Sequence, residues 1–193
     1  HRVTPLPFDP AKLRGLSEKL LTSHHANNYA GAIKNLNAVE LALDKITADT
    51  PGFQVNALRE RELTYANSAL LHERYFEILG GDGKPAGDFA KALTTQFGSA
   101  AKWEMLLRAT AMSLGGGSGW VVIAYSERTH DLRIVGSSGH AQTLAAGMPI
   151  LALDMFEHAY ALDYGAGHAK YIDAVFANLD WAALDKRWRG LKA

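Results

Sequence analysis

Two long runs of helical periodicity open the chain, and almost nothing lies between them. The first runs from Ser17, an N-cap residue followed by Glu18, to about Ile46, with a start near Ala11 as the alternative. Thr50-Pro51-Gly52 breaks it, and a second run from about Asn56 to Leu79 ends at Gly80-Gly81-Asp82-Gly83. Two long helices with so short a connection can bury their apolar faces only as an antiparallel hairpin. Pro5, Pro7 and Pro10 keep the first ten residues extended. The Gly- and Pro-rich stretch 80–87 divides the chain into an N-terminal helical hairpin domain, 1–83, and a C-terminal α/β domain, 84–193.

Beyond that boundary, Asp88 to Gln96 and Ala100 to Leu114 have helical spacing, the latter behind Ser99 as N-cap. Trp120 to Tyr125 and Asp131 to Gly136 read as strands joined by the polar loop SERTHD, and Ile150 to Leu153 as a third. Short connections of this kind suit a small antiparallel sheet, so the fold class is α+β. Helices follow from His168 to Ala177 and, capped by Asp180, through Trp188. The glycines at 115–117 read as a structural turn, since the pattern G-x-x-x-x-G-K-[ST] of a phosphate loop is absent.

Composition narrows the chemistry. Twenty basic residues balance twenty acidic ones, so no global field draws in nucleic acid or an anionic membrane. The chain has no cysteine, which leaves His, Asp and Glu as metal ligands. No apolar run approaches the ~20 residues of a membrane span. The expected location is the cytoplasm, or the periplasm or exterior if a signal has been removed before His1.

Where is the chemistry? In ILALDMFEHAYALDY, Asp154 and His158 lie four apart, and on a helix start both would face one way. Carboxylate oxygen mixed with imidazole nitrogen suits iron, manganese or zinc. The plain alternative is a surface Asp and an unrelated helical His. On the first helix His24, Asn28 and Ala32 share one stripe, and on the second Ser68, His72 and Phe76 form another. A lone His on such an apolar face is more often a satisfied core residue than a ligand.

Laid in order, SHHANNYAGAIKNLN, NSALLHERYF, LGGGSGW and LDMFEHAYALDY resemble the iron/manganese superoxide dismutase family along nearly the whole chain. The opening LPFDPAKL is similar to that family's N-terminal segment. The resemblance implies metal ligands at His24, His72, Asp154 and His158, with His24 preferred over His25 because Asn35-Leu36-Asn37 then matches the family's N-L-N. It also implies one iron ion per subunit, with manganese as the alternative, and superoxide as the small anionic substrate. The implied reaction is a ping-pong dismutation, and the implied fold is a helical hairpin joined to a domain with a three-stranded antiparallel sheet.

Further roles follow from the same resemblance. Glu157 matches a residue that bridges to the ligand His158 across a two-fold axis, which implies a homodimer or a dimer of dimers. Trp120, Phe76 and Phe156 match the pocket wall, the last two at positions where the family has tryptophan. His140 stands where a Gln often faces the metal-bound solvent, and Ser68 at the other such position. Asn28, Ala32 and Ala161 replace a gateway His and two tyrosines, so Asn28, Tyr29, Tyr171 or water takes over proton delivery. His168, beside Lys170, replaces an arginine near the site mouth, which implies local steering that weakens at alkaline pH. A metal-holding relative with poor or lost dismutation is the alternative reading.

Overall fold

The computed structural model describes residues 1–114 and 118–191. The reading of Gly115 to Gly117 as a structural turn lies outside the described residues.

Ser17 does cap a helix: its Oγ accepts from the Leu20 amide at 3.0 Å, and α1 spans Glu18–Ser23. Near Ala11 there is only a 3₁₀ turn, Pro10–Lys12. The first long run is not one continuous α-helix. A π-helical segment, His24–Tyr29, separates α1 from α2, Ala30–Leu43. α3 spans Gly52–Glu77, four residues longer at its start than the periodicity predicts, because Pro51 fits the cap and Gly52 can begin the helix. α2 and α3 pack against each other as the hairpin.

α4, Gly87–Phe97, and α5, Ala100–Ser113, follow, with Ser99 Oγ accepting from the Lys102 amide at 3.1 Å. The sheet has strand order β2-β1-β3, with β1 at Trp120–Ser126, β2 at Asp131–Ser137 and β3 at Gly147–Asp154. Both pairings are antiparallel, and β1 is the central strand. Trp120 through Ala124 are all buried because α3 and α5 bring helical cover to the sheet. After β3 come a 3₁₀ turn, Glu157–Ala159, and the short α6, Ala161–Tyr164. α7, His168–Ala177, and α8, Trp181–Gly190, complete the fold, α8 capped by Asp180 at 3.0 Å from the Ala182 and Ala183 amides.

One apolar core joins the hairpin, the sheet and α7 and α8. Among the described residues no helix is long and apolar enough to cross a membrane.

Candidate metal centre

Each element delivers one side chain to a common point. His24 opens the π-helical segment, and this overturns the predicted stripe of His24, Asn28 and Ala32. Where the helix widens from an i+4 to an i+5 pattern, the residue that joins His24 on the buried face is Tyr29, while Asn28 is only half-buried. Ala32 is still buried, together with Ile33 and Leu36. Isolated π segments are rare and concentrate at functional sites.

His72 comes from α3, where Ser68, His72 and Phe76 are all buried as their spacing predicts. Its Nδ1 lies 2.7 Å from the Ser68 carbonyl oxygen. A carbonyl only accepts, so the ring proton sits on Nδ1 and Nε2 is left as a bare lone pair.

Asp154 and His158 do not share a helix start, as the four-residue spacing suggests. Asp154 is the last residue of β3, paired with Trp120 on β1, and His158 lies in the 3₁₀ turn that follows. The apolar run before Asp154 extends the strand to it, and the chain then turns back sharply enough to bring His158 to the same carboxylate. Asp154 Oδ1 accepts from the Phe156 amide at 2.9 Å, which orients Oδ2 toward the histidines.

Around Oδ2 three imidazoles converge. His24 Nε2 and His158 Nε2 each lie 3.1 Å from it, and His72 Nε2 lies 3.6 Å away. One ligand atom from each of the four residues falls within 4.8 Å of every other. His24, His72 and Asp154 are buried, and His72 Nε2 has no hydrogen-bond partner. A bare lone pair facing a carboxylate oxygen in a dry interior is repulsive unless a cation lies between them.

The electrostatics agree. Burial pushes the Asp154 carboxyl up, yet the hydrogen bonds from His158 and His24 outweigh it and hold the group below its ordinary value. Burial drives His72 down to about 3 and also lowers His24, so both rings stay neutral. Neutral imidazoles and an ionised carboxylate are the ligand forms a metal requires. The donor set, three nitrogens and one hard oxygen without sulfur, fits iron or manganese.

The surroundings are aromatic. Trp120 meets His72 edge-on at 5.1 Å between centroids, Phe76 lies 5.0 Å from His24, and Phe156 stacks on His158 at 5.4 Å. His140 stacks on Phe156 at 4.6 Å and lies 6.1 Å from His72. The Trp120 indole N–H donates to His140 Nδ1 at 2.9 Å, so the neutral His140 ring carries its proton on Nε2.

Tyr171 is fully buried behind the carboxylate, its hydroxyl 2.7 Å from the Asp154 carbonyl oxygen and 3.2 Å from the Tyr75 hydroxyl. The carbonyl takes the Tyr171 proton, so Tyr75 supplies the one for the second contact. Tyr75 itself, 5.1 Å from His24, was not singled out by the sequence, where it reads as one more apolar position on α3. The Tyr29 hydroxyl is likewise engaged, with Glu73 at 2.9 Å and the Thr4 amide at 3.0 Å. Glu157 is exposed, and among the described residues its carboxylate has no hydrogen bond or ion pair. His168 is half-buried with its ring edge-on to Tyr160 at 5.3 Å.

Comparison with known proteins bears on the chain as a whole. Residues 85–187 match the family described as iron/manganese superoxide dismutases, C-terminal domain. The chain is 47% identical over 182 residues to "Superoxide dismutase [Fe]" of Cupriavidus metallidurans, covering 94% of this chain and 92% of that one. This chain belongs to the iron/manganese superoxide dismutase family. It is also 32% identical over 187 residues to "Superoxide dismutase [Mn] 1" of Halobacterium salinarum, covering 94% and 91% of the two chains. A further relative, 29% identical over 197 residues and covered to 97% and 90%, is "Superoxide dismutase [Mn/Fe]" of Aeropyrum pernix. Family relatives are thus named for either metal and for both, in keeping with a donor set that both accept.

Proposed function

We propose that this chain is a superoxide dismutase, in which His24, His72, Asp154 and His158 hold one iron ion per subunit, with manganese as the alternative. Two superoxide anions and two protons become one dioxygen and one hydrogen peroxide. The observation that carries the reading is the buried lone pair of His72 Nε2 set 3.6 Å from Asp154 Oδ2 with no proton to share.

What a bound iron or manganese ion supplies is a one-electron couple that serves two superoxide anions in turn. The protein's own groups do the rest. Asp154 brings one negative charge, so that the site is less cationic and its potential falls within reach of both half-reactions. Ser68 fixes the tautomer of His72 through its carbonyl. Trp120, Phe76 and Phe156 exclude bulk water from the ring edges.

His140 is the outer-sphere donor in this reading. Trp120 occupies its Nδ1, so Nε2–H is the end left to donate to solvent or to an anion beside the cluster. Tyr171 and Tyr29 act by position, because their hydroxyls already serve Asp154, Tyr75, Glu73 and Thr4. Protons then arrive through solvent and His140, with Asn28 at the edge of the path. The assembly is a homodimer, or a dimer of dimers. Exposed, unpaired Glu157 and a His158 ring whose Nδ1 has no partner among the described residues are two halves of one contact related by a two-fold axis.

The test is elemental analysis of natively purified protein, then superoxide turnover after reconstitution with each metal separately. Iron or manganese near one per subunit together with rapid turnover is expected. Stoichiometric metal with negligible turnover selects the metal-holding alternative, which the replacement of the family's gateway residues by Asn28, Ala32 and Ala161 favours.

A further inference from the structure

The N-terminal strap crosses the outside of the π-helical segment, and the way it is attached is unusual. Thr4 is exposed, so water could satisfy its backbone. Instead its N–H donates to Tyr29 Oη at 3.0 Å, and its carbonyl accepts from His25 Nε2 at 2.8 Å. Tyr29 Oη passes its own proton to Glu73 Oε1 at 2.9 Å. His25 adjoins His24 and Glu73 adjoins His72, so three hydrogen bonds tie the strap to the neighbours of two proposed ligands on two different elements.

Leu6 and Phe8 pack the strap against the core, and the polar contacts of Thr4 are made in addition, on the π segment. A pocket of about 180 Å³ opens between the strap and the helices, lined by Thr4, Pro5, Pro7, His25, Tyr29 and Glu73 among others. At Thr4 the strap therefore borders an open pocket, and there it is held by polar contacts. A π segment gives up regular helical geometry and persists only where its surroundings enforce it. Thr4 on one side and Glu73 on the other both meet this segment through the Tyr29 hydroxyl.

We propose that Tyr29 is a positioning residue: its bridge from Thr4 to Glu73 holds the π register, and with it the placement of His24 against His72 and Asp154. The inference rests on the metal reading given above. Its chemical target is the geometry of the bound ion, and its loss loosens the cage without dissolving the fold. Tyr29→Phe keeps the ring and removes both of its hydrogen bonds. Thr4→Pro removes only the strap's N–H, at an exposed position that precedes Pro5 and is already biased to an extended conformation.

The experiment loads wild type and both variants with iron, then measures iron release to excess EDTA and the near-ultraviolet charge-transfer absorption. Circular dichroism and thermal melting of the metal-free chains serve as the control. Tyr29→Phe is expected to release iron at least about tenfold faster and to shift the absorption band, with native-like circular dichroism. Thr4→Pro is expected to move both readouts the same way by less. Unchanged release and an unchanged band in both variants overturn the proposal, and if Tyr29→Phe fails to fold, Thr4→Pro decides alone. A wild-type chain that retains no iron or manganese overturns the metal reading itself, whereas a wild type that retains iron beside indifferent variants overturns only the role of Tyr29.

Discussion

His72 and His158 present the same kind of nitrogen to the same carboxylate oxygen, yet the protein secures them differently. His72 is sealed: its side chain is 1% exposed and its Nδ1 is committed to a carbonyl of its own helix. His158 is 25% exposed in the isolated chain, and among the described residues its Nδ1 has no partner. One ring is fixed by local secondary structure before any assembly. The other has no such anchor among the described residues, and in the proposed homodimer Glu157 is the group that a second copy would offer. Orientation of a ligand can thus be built into a helix, as for His72, or, under the homodimer proposed above, deferred to an interface, as for His158.

Removing the sealed ring should have the largest effect. His72→Ala is expected to abolish iron retention and to lower superoxide turnover well beyond the ~100-fold limit typical of outer-shell losses, measured by elemental analysis and stopped-flow kinetics. Next comes the deferred ring. Glu157→Gln is expected to shift the assembly toward monomer in analytical ultracentrifugation and to reduce turnover about 10- to 100-fold. A variant that stays dimeric with full activity would remove the distinction between the two histidines.

Proton linkage sharpens the contrast in the metal-free chain. The His72 pKa is lowered from 6.5 to about 3 in the folded state, chiefly by burial. The unfolded chain therefore binds a proton that the folded one refuses, and stability falls as pH drops from about 6.5 toward 3. One such group contributes a slope of at most ~1.4 kcal/mol per pH unit. Asp154, lowered in the folded state, remains ionised in both states above its ordinary value of 3.8, and below that value it adds to the decline. Denaturant melts of the apo-protein from pH 7 to pH 4 should show the decline, and His72→Gln should make it shallower, while His24, lowered by burial as well, keeps its own share. The smallest effect belongs to Ser68→Ala. The strong anchor of His72 is the Ser68 backbone carbonyl at 2.7 Å, while Ser68 Oγ lies 3.4 Å from Nδ1. Turnover should change less than about threefold, and stability by about 0.5 kcal/mol or less.

The hairpin, the strands and the capped helices were legible because each is encoded locally. Ser17, Ser99 and Asp180 cap the helices their positions suggest, and the run from Ile150 to Leu153 lies inside β3. The π segment was not legible, since a regular periodicity places Asn28 where the widened turn places Tyr29. Spacing also put Asp154 and His158 on one helix. Their meeting depends on a strand end and a tight turn, and the pairing of Asp154 with Trp120 is a long-range fact that periodicity does not contain. The four cluster residues were readable one by one, but that their atoms converge within 4.8 Å is a property of the folded chain. Tyr75 was hidden by its own burial, which made a hydrogen-bonded phenol look like ordinary filling.

The cage is assembled from segments about 130 residues apart, and this sets an order during synthesis. His24 and His72 emerge early, on a hairpin that forms from contacts close in sequence. The carboxylate that draws the cluster together is made only when β3 is complete, and the last ring four residues later. Until residue 158 has been added, the four donors that gather round one point are not all present. A nascent hairpin that carries only His24 and His72 offers a cation two imidazoles and no counter-charge, because the carboxylate belongs to a strand not yet translated.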